Sequence, residues 1–135
     1  MPRPYDRLSS SVRFRWRRSW RALLRDEAGE TRQRDDLLKD ISRKNPFKPL
    51  ADFFLASLGK GEKAEVDLGQ AEKIIKSVNA DDRRTCYYLL GRFLELRGQT
   101  KLAQEYYKRR LADEPALNSL IAVFAGSRLQ ELESK

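Results

Sequence analysis

No histidine occurs anywhere in the 135 residues, and there is one cysteine, Cys86. The first absence excludes imidazole general acid–base chemistry, Ser-His and Cys-His nucleophile pairs and every metal site that needs imidazole. A lone thiol can form neither an internal disulfide nor a thiolate zinc site, and it fits a reducing compartment. No run approaches the ~20 apolar residues of a membrane-spanning helix, and no apolar core follows the N-terminal arginines, so a secretory signal is not expected. Chemistry by two carboxylates remains formally open. However, the acid pairs Asp35-Asp36, Asp81-Asp82 and Asp113-Glu114 sit where helix surfaces or ends are expected, so capping and solvation account for them. Neither catalysis nor a cofactor or metal is expected.

What the chain has is positive charge, unevenly placed. Of the net +8, residues 1–46 carry +6, so the charge pattern describes a basic arm on a nearly neutral body. After a proline-bearing start, Val12, Trp16, Trp20, Leu23 and Leu24 recur on one face of a helix over about 10–25. Arg15, Arg17, Arg18, Arg21 and Arg25 fall on the other face, with Arg13 at the boundary and Phe14 among the arginines. Three uses of this helix stay open. Trp16 and Trp20 dock on the body's own grooves; the helix lies on an anionic membrane surface; or the arginines meet nucleic-acid phosphates while the aromatic rings stack on unpaired bases. A mitochondrial transit peptide has similar composition, against which stand Asp6 and the acidic Asp26–Glu30 stretch.

A polar break at Asp26–Glu30 precedes a second helix over about 32–43, and Asn45-Pro46 ends it. The boundary between arm (1–45) and body (46–135) is placed there. In the body, helices are expected over about 49–58, 68–78, 82–97, 100–112 and 116–132. Pro49 starts the first, Asn79 or Asp81 caps the third, Gly98 closes it and Thr100 caps the fourth. No segment alternates over strand length, so the fold class is all-α. Gly59-Lys60-Gly61-Glu62-Lys63 lacks the GxxxxGK[ST] spacing of a phosphate loop and reads as a turn.

Residues 84–115 carry Tyr87-x2-Leu90-Gly91-x2-Leu94, then Ala103-x3-Tyr107, then Pro115. This resembles the signature of the tetratricopeptide repeat, in which small residues let two helices cross closely. Upstream by 32 residues, Leu55-x2-Leu58-Gly59 and Ala71-x3-Ile75 resemble a second, degenerate repeat over about 52–83. The layout of 46–132 is also similar to the C-terminal portion of bacterial lipoprotein-type tetratricopeptide adaptors, without their lipobox cysteine. The resemblance implies a short array of antiparallel helical hairpins, a capping helix over about 116–132, and a protein–protein interaction role without catalysis. It also implies a concave partner-binding surface that would include Thr85, Tyr88, Arg92 and Glu95. The Lys/Asn clamp that holds chaperone tails is missing at these positions. A peptide or helix of another protein is the expected partner, self-association is possible, and the expected location is cytoplasmic, with mitochondrial as the alternative.

Overall fold

The computed structural model describes residues 15–112 and 120–134 and is all-helical, with no strand among the described residues. Among the described residues seven helices follow one another: α1 (Arg17–Glu27), α2 (Thr31–Lys39), α3 (Lys48–Gly59), α4 (Leu68–Ser77), α5 (Ala80–Leu96), α6 (Thr100–Ala112) and α7 (Leu120–Glu133). The expectations for Val12, Arg13, Phe14 and Pro115 lie outside the described residues. No helix among the described residues is long and apolar enough to cross a membrane.

Local chemistry sets most of the boundaries. Asp67 caps α4, its carboxylate accepting from the Gln70 amide at 3.1 Å. Of the two candidates for α5, Asn79 is the cap, accepting from the Asp82 amide at 3.0 Å, while Asp81 and Asp82 lie in the first turn and favour its positive end. Two helices end in the same left-handed turn. At the end of α5 the Gly98 amide bonds the Glu95 carbonyl (3.0 Å) and the Gln99 amide bonds the Leu94 carbonyl (2.9 Å). Gly29 and Glu30 bond Asp26 and Arg25 in the same way after α1. Gly98 has φ +80° and Gly29 +78°, a conformation open to glycine and costly for most other residues.

α5 is the centre of the fold. It forms an antiparallel hairpin with α6, and it also touches α1, α4 and α7; α7 runs along α6. The hairpin closes tightly because Gly91 has no side chain. A Cβ built there would stand 2.7 Å from Cε1 of Tyr107, closer than real Cβ atoms approach. Tyr107, Leu90 and Ala103 are fully buried around this crossing, whereas Tyr87 turns outward, its ring 6.1 Å from Tyr106 and beneath the Arg109 guanidinium. From the other side Phe54 of α3 stacks on Phe93 of α5, centroids 4.3 Å apart. The expected boundary at Asn45-Pro46 falls in the turn before α3. Trp16, Leu23, Leu38 and Ile41, which precede it, belong to the same buried cluster as Phe54, Leu89 and Tyr107, so the helices on both sides of that turn share one core.

Candidate functional site

The face of α5 that carries Tyr88, Arg92 and Glu95 lies beneath α1 and α7. Tyr88 is 3% exposed and Arg92 4%. Tyr88 lies beside Trp20 under the cleft, and burial pushes its phenol up to about 12. Arg92 reaches Glu27 of α1 at 2.5 Å and Glu95 at 3.0 Å. Burial works against the Arg92 charge, but these carboxylates outweigh it and hold the guanidinium above its ordinary range.

Glu95 is the hub. Its carboxylate accepts from Tyr107 Oη at 2.7 Å, from Arg92 and from Arg128 of α7, whose Nε lies at 3.1 Å and whose Nη2 pairs with the second oxygen. Burial opposes ionisation of Glu95, yet the hydrogen bonds from Arg128 and Tyr107 and the two guanidinium charges prevail, and its pKa is lowered. The Tyr107 phenol is driven the other way, by burial and by the carboxylate it donates to. α5, α6 and α7 are therefore tied at one carboxylate.

A second network sets the position of α1. Asp26, nearly fully buried, accepts from Arg34 of α2 at 2.8 Å and from Arg97 at the end of α5 at 2.6 Å. Arg34 also meets Asp35 (2.8 Å) and Glu62 of the α3–α4 loop (3.0 Å), and the Arg97 guanidinium lies 5.0 Å over Phe93. Such a buried group is costly to assemble and costlier still to break. Aromatic contacts hold α1 from above. Trp16 meets Trp20 edge-on at 5.9 Å, and Trp20 stacks on Phe124 of α7 at 5.4 Å with 8° between planes.

Between the two helices remains an open cleft of about 210 Å³. Tyr88 and Arg92 form its floor, Trp20, Leu24 and Glu27 one wall, and Phe124, Ser127 and Arg128 the other. Leu120 and Val123 stand one turn before Phe124 and Ser127 on the same helical face. Leu24, Leu120 and Val123, respectively 39%, 37% and 56% exposed, are the large hydrophobic residues left exposed among those described. Leu24 lines this cleft, while Leu120 and Val123 lie beyond its lining, one turn before the α7 wall.

The structure thus brings Tyr88, Arg92 and Glu95 together, with Glu95 behind the floor in the network and Thr85 half-buried outside the lining. Of the arm residues, Trp16 is buried and Trp20 forms a cleft wall. Arg17, Arg18 and Arg21 are exposed, Arg15 is half-buried, and Arg13 lies outside the described residues. Sequence reasoning missed Leu24, Glu27, Phe124 and Arg128 as site residues. The i, i+4 pair Phe124/Arg128 is a signal it could have used, but nothing local shows which helix lies opposite. Cys86 is fully buried and its thiol is pushed up to about 12, first by burial and then by Asp82, which leaves it a packing residue. No group of three or more acidic or thiol side chains among the described residues is placed to hold a metal ion.

No protein-family profile matches this chain, and neither a curated protein nor a solved structure shows significant similarity to it. The class that fold and site define is therefore an all-helical protein with an apolar-rimmed cleft.

Proposed function

We propose that this chain is a protein–protein interaction module of the tetratricopeptide kind, with α5–α6 as its hairpin, α3–α4 as a degenerate repeat and α7 as the capping helix. Three features support the hairpin: the Gly91–Tyr107 approach, the buried Ala103 and the Gly98 turn. The observation that carries the function is that exposed Leu24 lines the cleft floored by Tyr88 and Arg92, while exposed Leu120 and Val123 stand one turn before its opposite wall on α7. Exposed apolar residues gathered at one groove mark a surface that gains by being covered. α1 and α7 narrow the concave face of α5, so the partner segment is a slender one: a helix or extended peptide whose apolar side chains seat against Leu24 and Val123. Recognition is by packing, with Glu27 and Arg128 at the edges available for polar contacts, and no covalent step is involved.

Selection of peptides from a random library on the full chain tests this reading. Enriched peptides should share an apolar pattern and lose at least tenfold in affinity against a Leu24→Gln/Val123→Gln chain. Enriched peptides that bind this variant as tightly as the wild type would remove the cleft as the site.

A further inference from the structure

A second surface adjoins this cleft on α1. Arg17, Arg18, Arg21 and Arg25 lie within an arc of roughly 100° at 3.6 residues per turn, and all four are exposed. Asn45 extends the surface: its side-chain amide donates to the Arg15 carbonyl at 3.0 Å and its oxygen accepts from the Phe47 amide at 2.9 Å. The Ser42–Asn45 turn is thereby fixed beside the start of α1, which brings exposed Arg43 and Lys44 close to its first turn. Of the nearby acids, Asp40 is engaged with Arg18 and Asp52 with Lys48, while Asp36 faces the far end of this helix beside Arg25. Arg17, Arg21, Arg43 and Lys44 have no carboxylate partner among the described residues, and the first turn of α1 holds no acid.

We propose that this face, Arg17 and Arg21 continued by Arg43 and Lys44, binds the phosphate backbone of double-helical nucleic acid. The burial of the tryptophans selects that ligand. An interfacial helix needs its apolar side free to enter a bilayer, but Trp16, Ala22 and Leu23 are in the core and Trp20 is stacked on Phe124. Single strands are gripped by aromatic rings on which bases stack, and among the described residues no ring is exposed on this face. What remains among the described residues is an array of guanidinium and ammonium groups edged by Leu24, with no exposed ring on which a base could stack. Its complement is a regular, closely spaced row of phosphates, as in a duplex. The packed hairpin of α1 and α2 holds the cations in place before the ligand arrives. This surface is independent of the cleft proposal and stands or falls without it.

Fluorescence anisotropy of the full chain with short labelled DNA and RNA duplexes tests the proposal, with a single strand and phosphatidylserine vesicles as competitors. Binding to either duplex is expected, with affinity falling roughly a hundredfold between about 50 and 200 mM salt if four phosphates are neutralised. Replacing Arg17, Arg21, Arg43 and Lys44 by Gln should flatten that slope by about one for each charge removed, with the thermal midpoint unchanged because all four are exposed. The proposal is overturned if neither duplex binds, if the single strand or the vesicles bind more tightly than both duplexes, or if the fourfold variant keeps the wild-type slope. The salt slope of the unaltered chain is an independent reading should that variant fold poorly.

Discussion

The ring of Tyr107 occupies the space where a side chain at position 91 would be, and that vacancy lets α5 and α6 approach. On an exposed helix, glycine to alanine gains about 0.5–1 kcal/mol in helix propensity. At Gly91 the sign should reverse. The fully buried Tyr107 ring has to move, which strains the packing and loosens its 2.7 Å bond to Glu95. Gly91→Ala should destabilise by about 1–3 kcal/mol, as overpacked cores do. Urea unfolding measures this, and adding Tyr107→Leu should recover part of the loss because the two changes are coupled.

Asp26 offers a sharper test of how α1 is held. Its carboxylate stands between Arg34 and Arg97, all three nearly fully buried. Asp26→Asn leaves two buried cations short of a partner, and the expected cost is about 3–5 kcal/mol. Glu62 touches the same arginines but is half exposed, so Glu62→Gln should cost about 0–1 kcal/mol. Equal losses from the two variants would contradict the network as described.

Glu95 makes stability depend on acid. Its folded pKa lies below the ordinary value of 4.5, so its contribution is complete above that value. The contribution is lost as pH falls through the lower folded value. Thermal midpoints of wild type and Glu95→Gln should therefore differ most near neutrality and converge in acid. A constant difference across that range would show that Glu95 acts only through shape.

Cys86 should be silent. With a buried thiol pushed up to about 12, the native protein has no reactive thiolate at mildly alkaline pH. A thiol-specific maleimide should label it only after denaturant is added. Fast labelling of the native chain would mean that α5 opens readily around it.

Much of this was legible in advance, because helix signals are local. Apolar periodicity, Pro49, Asn79 and Gly98 located the helices of the body, and a close helix crossing at Gly91 and Ala103 was implied by the resemblance to the tetratricopeptide signature. The predicted second helix ran to 43 whereas α2 stops at Lys39, four residues short. The hidden part was the role of Asp26. In sequence it belongs to a polar break and looks solvated; its partners Arg34 and Arg97 are 8 and 71 residues away, and no periodicity encodes such a meeting. The same limit applies to the cleft. Its floor could be placed from the repeat-like spacing, but its walls come from α1 and α7, whose arrangement over α5 depends on Trp20 finding Phe124.

The most direct test of the central claim is a quantitative capture from lysate of the source organism, run in parallel with three full-length baits. These are the unaltered chain, the cleft variant Leu24→Gln/Val123→Gln, and the variant with Arg17, Arg21, Arg43 and Lys44 changed to Gln. The cleft substitutions leave the net charge untouched, so their effect cannot be electrostatic. The account predicts at least one protein whose recovery collapses with the cleft variant and persists, in high salt and after nuclease, with the arginine variant. If every recovered protein is indifferent to the cleft substitutions, the cleft is not the binding surface and the interaction role assigned to it is contradicted.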